Sequence, residues 1–115
     1  MARETPREET LRESDGLAVS PANAGLSEEE RRAAPGLFRA LLAGHLVHAL
    51  GERKAGKILA AVRMALEMEP GLRIESIELR DAETRETVNR LRGPALLEAV
   101  VHAGRTRLTD GVRLG

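Results

Sequence analysis

The sequence lacks cysteine, tryptophan and tyrosine, and Phe38 is its only aromatic residue. Without cysteine the chain can form no disulfide, no thiolate nucleophile and no cysteine-ligated zinc site. With one aromatic residue, its core must be built from leucine, valine, isoleucine and alanine. The absence of cysteine also fits a protein of the reducing cell interior.

An excess of either charge is missing too, because the 115 residues carry 18 Lys or Arg and 18 Asp or Glu. A nucleic-acid-binding protein usually has a basic surplus, since neutralising phosphates supplies most of its affinity. Such a protein also tends to stack bases on aromatic side chains. We therefore predict no nucleic-acid partner.

Long apolar runs are absent as well. No stretch approaches the ~20 residues that a membrane-spanning helix needs, and the N-terminal sequence is charged from its third residue, unlike a signal peptide. We expect no membrane partner and a soluble, cytoplasmic protein. We predict a flexible leader over residues 1–9, or a frayed approach to a short strand at Glu9 to Glu13, and one domain over residues 10–115.

The first predicted helix begins at Ser27. Ser27 and Glu30 have the spacing of a capping box, and apolar residues recur at helical intervals up to Leu50. Pro35 interrupts this pattern, because a proline inside a helix removes a backbone hydrogen bond and costs about 3 kcal/mol. We therefore predict a kink or a restart at Pro35, and the end of the helix at Gly51.

A second helix is predicted over Arg53 to Met68, and Pro70-Gly71 ends it. Its apolar residues form a single stripe that would face a core. These residues are Ile58, Leu59, Val62, Ala65 and Leu66.

The remainder of the chain has the alternation of β-strands. The clearest strand is Ala95 to Ala103, where alternate residues point to opposite faces. An earlier strand over Leu72 to Arg80 has an alternation that slips between Ile74 and Ile77. Such a slip indicates a β-bulge.

A last strand is predicted from about Thr106 to Leu114, after a turn at Gly104-Arg105. Asp110-Gly111 is a rival turn that the sequence does not exclude. The predicted fold class is α+β, with two helices packed on a small three-stranded, mostly antiparallel sheet.

The segment from Thr10 to Ser27 resembles a stretch of the pantothenate synthetase family. It reads TLRESDGLAVSPANAGLS, where the family reads T-x-R-E-x-D-G-L-A-x-S-S-R-N-x-x-L-S. The later segments EERRAAPGLFRAL, IELRDAET and GRTRLTD are similar to further family signatures, in the family's order. The resemblance covers nearly the whole chain from Thr10 onward.

The resemblance implies a reaction and a place in a larger enzyme. A pantothenate synthetase activates pantoate with ATP and Mg to give pantoyl adenylate and pyrophosphate, and the amine of β-alanine then displaces AMP. In the family, an N-terminal Rossmann-like domain with an H-x-G-H motif binds the nucleotide, and the C-terminal domain closes over ATP. This chain resembles the C-terminal domain only, and H-x-G-H does not occur in it.

Five residues map onto nucleotide-contacting positions of the family. Leu11 falls where the family's backbone lies near the adenine, and the phosphate loop maps onto Val19, Ser20, Pro21 and Ala22. Pro21 replaces a serine and has no backbone N–H, and Ala22 replaces an arginine. Losing one charge-assisted hydrogen bond of about 1.5–3 kcal/mol would weaken phosphate binding roughly tenfold to a hundredfold. We expect ATP and Mg binding to be weak or lost.

Plainer structural roles compete with these assignments. Ser20 and Asn23 belong to the residue types that form turns. His45, His48 and His102 suggest a histidine-only zinc site, but no carboxylate is placed with them, so we predict no metal site. We predict no catalytic residue.

Charged residues near the end of the chain also have a plain interpretation. Arg107 and Asp110 are expected to form a surface ion pair, worth ~0–1 kcal/mol.

Two kinds of function fit these observations. The first is the C-terminal lid of a pantothenate synthetase, inactive alone and acting by docking on a separate catalytic nucleotide-binding domain. The alternative is a degenerate, non-catalytic interaction or oligomerisation module that kept the fold. In that case an apolar patch around Leu17, Val19 and Leu26 would form a homodimer or bind another partner.

Overall fold

The computed structural model describes residues 10–115, so the predicted leader over residues 1–9 lies outside the described part. Within residues 10–115, a 3-10 helix is followed by three α-helices and three strands. Their bounds are Pro21–Gly25, α1 Glu28–Ala33, α2 Gly36–Ala49, α3 Ala55–Glu67, β1 Arg73–Asp81, β2 Ala95–Ala103 and β3 Thr106–Leu114. The predicted α+β class, with two main helices on a three-stranded antiparallel sheet, is confirmed. Within residues 10–115 no helix combines the length and the apolar character needed to cross a membrane.

The break in the first helical region falls at Pro35, as predicted. α1 ends at Ala33 and α2 begins at Gly36, with Pro35 between them. A proline is tolerated at a helix start, where its missing N–H would have no intrahelical partner. The predicted capping box is present, because Ser27 Oγ accepts from the Glu30 N–H (3.1 Å) and Glu30 Oε1 accepts from the Ser27 N–H (2.9 Å).

β2 is the central strand and pairs antiparallel with both neighbours. The predicted bulge lies in β1, where the pairing register shifts between Ile74 and Ser76. The turn from β2 to β3 lies at Gly104, whose φ is +61°. The alternative prediction of a turn at Asp110-Gly111 is wrong, because both residues lie inside β3.

The strand predicted at Glu9 to Glu13 is not formed in the described part of that segment. Arg12 and Ala18 make only an isolated antiparallel bridge. The Asp15-Gly16 turn explains this, because it folds the chain back on itself within a few residues.

The core lies on one face of the sheet. Leu97, Ala99 and Val101 of β2 are fully buried and belong to the same apolar cluster as residues of α2 and α3. At Gly44, α2 passes so close that an added Cβ would lie 2.7 Å from both Leu97 Cδ2 and Val62 Cγ2. Gly44 therefore lies where α2, α3 and β2 meet with no room for a side chain.

Candidate functional site

Residues 11–19 form a narrow hairpin that carries two of the predicted site residues. The Glu13 N–H donates to the Leu17 carbonyl (2.8 Å), and the Val19 N–H donates to the Leu11 carbonyl (2.8 Å). Between these bonds Gly16 adopts a φ of +97°, a value that residues with a Cβ rarely adopt. The hairpin places Leu11 directly beside Val19.

Arg12 fastens this hairpin to the rest of the domain. Its Nη1 donates to Asp110 Oδ2 (2.6 Å) and to the Gly16 carbonyl (3.1 Å), and its Nη2 donates to Asp110 Oδ1 (3.1 Å). The guanidinium also lies 3.9 Å from the centre of the Phe38 ring, a cation–π contact. One side chain thus links the hairpin to both β3 and α2.

Asp15 makes a second link, to α1. Its carboxylate accepts from Arg31 Nη1 (2.8 Å) and Nη2 (3.3 Å), and this hydrogen bond is the main reason that the pKa of Asp15 is lowered. The next apolar residue, Leu17, is only 3% exposed. The predicted apolar patch around Leu17, Val19 and Leu26 is therefore wrong, because Leu17 enters the core and leaves Val19 as its exposed member.

Backbone N–H groups at and beside the phosphate-loop positions are hydrogen-bonded within residues 11–23. The Ala22 N–H donates to Ser20 Oγ (3.2 Å) and the Asn23 N–H donates to the Ser20 carbonyl (3.0 Å). The Val19 N–H is held by the hairpin, and Pro21 has no N–H to offer. Ser20 therefore acts as the N-cap of the 3-10 helix.

The residues present do not fit a triphosphate. Phosphate sites use free backbone N–H groups and cationic side chains, whereas here the N–H groups of Val19, Ala22 and Asn23 already have acceptors and Ala22 supplies no charge. The cavity beside Ser20, Ala22 and Asn23 measures about 100 Å³, well below the roughly 300–1,000 Å³ of typical small-molecule sites. Over residues 10–115 no group of three or more acidic or histidine side chains could hold a metal ion.

Asn23 supports the loop from the inside. Its Nδ2 donates to the Ala18 carbonyl (3.0 Å), while its Oδ1 is buried without a hydrogen-bond partner among the described residues. A buried acceptor of this kind costs free energy unless a water molecule donates to it. The cavity beside Asn23 has room for such a water.

Leu11 and Val19 form the exposed leucine and valine edge of the site, beside the exposed Ser20, Pro21 and Ala22. These residues are 75% and 53% exposed. Their backbones are nevertheless joined, because the Val19 N–H donates to the Leu11 carbonyl (2.8 Å). The hairpin therefore presents an apolar edge in a defined position. Such an edge can pack against a partner surface or a flat ring, but it cannot bind charge.

The predicted pair of Arg107 with Asp110 is wrong. Residues three apart in a strand point to opposite faces, so Asp110 binds Arg12 while Arg107 binds both carboxylate oxygens of Glu75 at 3.0 and 3.2 Å. The Arg107 hydrogen bond, with a second one from His102, lowers the pKa of Glu75 to about 2.

The three histidines do not come together. His102 Nε2 lies 2.7 Å from Glu75 Oε1 on the sheet face that the core does not use. His45 and His48 lie on α2, which packs on the core face. Burial is the main cause that lowers the pKa of His48, followed by the nearby charge of Arg53.

The pairing of Arg12 with Asp110 was not predicted from the sequence. Asp110 occupies a core-facing position of β3, and its side chain is only 4% exposed. A carboxylate at an otherwise apolar position of a strand implies a buried cationic partner. That signal was present in the sequence, but it did not say which arginine would supply the partner.

Comparisons with known proteins agree with this geometry. The chain matches the family profile described as Pantoate-beta-alanine ligase over residues 3–113. It is 44% identical over 105 residues to a pantothenate synthetase of Acidobacterium capsulatum, covering 91% of this chain and 35% of that protein. It is 42% identical to a bifunctional pantoate ligase/cytidylate kinase of a Synechococcus strain, covering 91% of this chain and 19% of that protein.

Solved structures show the same likeness. The crystal structure of a pantothenate synthetase from Thermus thermophilus superposes with a TM-score of 0.83 at 34% identity, over 90% of this chain and 37% of that one. The present chain thus spans about a third of the length of the pantothenate synthetases that it matches.

Proposed function

Because the chain belongs to the pantoate–β-alanine ligase family and corresponds to its C-terminal domain fragment, we propose that it is the lid domain of such a ligase. In the proposed reaction, the carboxylate of pantoate attacks the α-phosphate of ATP to give pantoyl adenylate and pyrophosphate. The amine of β-alanine then attacks the acyl carbon and AMP leaves. The lid contributes closure and exclusion of water rather than a catalytic group.

The observation that carries this proposal is the rigid presentation of the hairpin edge. Leu11 and Val19 are exposed, yet Arg12 holds their hairpin to β3 and α2 through hydrogen bonds as short as 2.6 Å. A lid needs this combination, because an edge that is ordered before it contacts a nucleotide loses less conformational entropy on binding.

The phosphate contacts of the proposed lid are weak or lost. The N–H groups of Ala22 and Asn23 are used inside the loop, and neither Pro21 nor Ala22 can replace a serine hydroxyl and an arginine. We expect the chain to act in catalysis only when it docks on a nucleotide-binding domain that supplies the rest of the cleft. The 115-residue chain alone is expected to form no amide from pantoate and β-alanine.

The first experiment measures AMP release by the purified chain with ATP, Mg, pantoate and β-alanine. We expect AMP to be released no faster than in controls that lack pantoate or β-alanine. Release of AMP that requires both substrates would contradict the proposal that closure is the only contribution of this domain.

A second experiment restores the residues that the phosphate loop lacks. In the double variant Pro21→Ser with Ala22→Arg, titration with ATP and Mg should shift the amide signals of residues 19–23 at roughly tenfold or more lower ATP concentration than in the parent chain. The matched control is Ala24→Arg, which adds the same charge to the same 3-10 helix at a position that does not correspond to the family's arginine. Equal responses of the control and the double variant would contradict a specific phosphate position.

The alternative function is a non-catalytic interaction module that has kept the fold. The hydrogen bonds from the Ala22 and Asn23 N–H groups to Ser20 favour it, since these donors have acceptors without any anion. It predicts that the restored double variant still shows no ATP-dependent shifts. The two functions therefore separate on a single titration.

A further inference from the structure

Two neighbouring cavities lie at the connection between β1 and β2, at the end of the sheet away from the Gly104 turn. Each measures about 310 Å³, at the lower end of the range of small-molecule sites. Asp81, Arg92, Gly93 and Pro94 line both of them. The two cavities together are called the connection cleft, and none of the described residues 11–23 lines it.

The segment that lines the connection cleft is held in place by its neighbours. The Leu91 N–H donates to the Arg53 carbonyl (2.8 Å), and Leu91 is only 5% exposed and belongs to the core cluster. Successive side chains of an extended chain point to opposite sides. Arg90 and Arg92 therefore lie on the side away from the core, where both line the same cavity.

The connection cleft offers donors that the phosphate loop does not. Among residues 10–115 the guanidinium groups of Arg90 and Arg92 have no hydrogen-bond or ion-pair partner. Within the same range the backbone N–H groups of Arg92 and Gly93 have no acceptor. Free N–H groups beside arginine side chains are well suited to bind an oxyanion. In the phosphate loop, by contrast, the N–H groups of Ala22 and Asn23 already have acceptors.

Neither the backbone nor the packing of this domain requires a glycine at Gly93. Its φ does not lie in the left-handed region, and an added Cβ would meet no atom within 4 Å beyond its chain neighbours. The backbone around it is fixed, because the Ala82 N–H donates to the Pro94 carbonyl (3.0 Å). A glycine also serves where a ligand approaches the backbone closely, and Gly93 lines both cavities of the connection cleft.

The acidic residues of the connection cleft do not cancel its arginines. Its lining holds three arginines, Arg113 among them, and two acidic residues, Asp81 and Glu83. Asp81 Oδ1 accepts from the Glu83 N–H (2.8 Å) and the Thr84 N–H (2.9 Å). These hydrogen bonds, the one from Thr84 first, lower the pKa of Asp81, so its charge is held within its own turn. The lining keeps a small positive excess, which suits one compact anion better than a polyanion.

We infer that the connection cleft binds a single phosphoryl group through Arg90, Arg92 and the backbone N–H groups of Arg92 and Gly93. These donors outnumber the two oxygens of a carboxylate, whereas a phosphoryl group offers three acceptor oxygens. The volume of the connection cleft leaves room for a small organic body beside the phosphate. The inference does not rest on the lid function, because the two sites share no residue and are read from different amides.

Titration of the full 115-residue chain with inorganic phosphate, followed by amide chemical shifts, tests the inference. The ionic strength is held constant with NaCl, because salt screens exposed charges. The Arg92 and Gly93 amides should shift and saturate, while the amides of residues 19–23 should not. Acetate should need a concentration at least about tenfold higher for half-saturation, since it has fewer oxygens for the same donors. No shift at the two amides, or equal responses to phosphate and acetate, would overturn the inference.

A second titration separates the free ion from a phosphate ester. Ribose 5-phosphate should shift the same two amides, and ribose alone should shift neither. A lower midpoint for the ester than for phosphate, with added shifts at residues 81–83 or 88–90, supports an ester as the ligand. Equal midpoints without added shifts support the free ion, and both results support a phosphoryl site. Shifts of the Arg92 and Gly93 amides by ribose alone would contradict it.

Variants assign the site to its residues. Arg92→Gln should raise the half-saturating phosphate concentration about tenfold or more. Gly93→Val should do the same by filling the connection cleft, and valine suits the extended backbone before a proline. The matched control is Arg105→Gln, which removes an exposed arginine from the β2–β3 turn and should leave binding nearly unchanged. Equal weakening by Arg105→Gln, or unchanged binding in Arg92→Gln, would sink the inference. Circular dichroism melting checks folding, and if Gly93→Val does not fold, Arg90→Gln replaces it under the same criterion.

Discussion

The hairpin over residues 11–19 and the helix–sheet core are held by different forces. In the core, Leu97, Val62 and Leu41 are fully buried, and stability comes from many small apolar contacts. In the hairpin, one guanidinium on Arg12 binds Asp110, a backbone carbonyl and the face of Phe38. The core thus spreads its stability over many residues, while the hairpin concentrates it in a few polar contacts, and single substitutions should reveal this difference.

The largest effect is expected from the centre of the core. Leu97→Ala should lower the free energy of unfolding by about 2–5 kcal/mol, because it leaves a cavity under α2. Leu11→Ala, at an apolar residue that is 75% exposed, should change it by less than about 0.5 kcal/mol. Urea unfolding at low protein concentration measures both. Similar values for the two variants would mean that Leu97 is not at the centre of the packing.

A comparable but more local effect is expected at Arg12. Arg12→Met should cost about 3 kcal/mol, because it leaves the Asp110 carboxylate, 4% exposed, without its cation. Hydrogen exchange should accelerate at the Glu13 and Val19 amides more than at core amides. Adding Asp110→Asn to Arg12→Met should recover part of the loss, since the unpaired charge is then gone. Uniform acceleration across the domain would contradict a local anchor.

A smaller effect is expected at the hairpin turn. Gly16→Ala must adopt a φ of +97°, and its Cβ would lie 2.4 Å from Phe38 Cδ2, so we expect a loss of about 1–3 kcal/mol. Gly25→Ala is the matched control in the same segment, where a Cβ would lie 3.6 Å from Thr106 Oγ1 in ordinary contact. The melting temperature of both variants gives the comparison. An equal change at Gly25 would show that the turn geometry is not the cause.

The smallest effect is expected on the exposed face of the sheet, at Glu75. The folded pKa of its carboxyl is about 2, below its ordinary value of 4.5, so the unfolded chain binds more protons between these values. The contribution of Glu75 is therefore present above about pH 4.5 and is lost as the pH falls toward 2. Urea unfolding between about pH 2 and 5 should show a shallower slope of stability against pH in Glu75→Gln than in the parent. An unchanged slope would mean that Arg107 and His102 do not stabilise the charged carboxylate.

Local signals in the sequence predicted the regular elements well. Ser27 with Glu30 marked the start of α1, Pro35 marked the restart, and the slip near Ile74 marked the bulge. Each depends on the chemistry of residues a few positions apart, so a sequence can show it. The alternative prediction of a turn at Asp110-Gly111 was wrong. A pair of turn-forming residues can also lie inside a strand, here because Arg12 forms a salt bridge with the buried Asp110 carboxylate.

The candidate site was only partly predictable. The resemblance assigned Leu11, Val19, Ser20, Pro21 and Ala22 to nucleotide-contacting positions, and that assignment stays a prediction. The resemblance did not show that the Ala22 N–H donates to Ser20 Oγ, because this hydrogen bond depends on the backbone conformation. Nor did it show that Leu17 turns inward while Val19 stays exposed.

By itself the sequence determined the order and type of the elements, the family, and the replacement of two phosphate-loop residues by Pro21 and Ala22. These follow from propensity, spacing and side-chain chemistry, which act over a few residues. Only the tertiary structure decided the pairing of Arg12 with Asp110, 98 positions apart, and the burial of Leu17 beside the exposed Val19. Both depend on which surfaces meet when the chain folds, and no local pattern in the sequence contains that information.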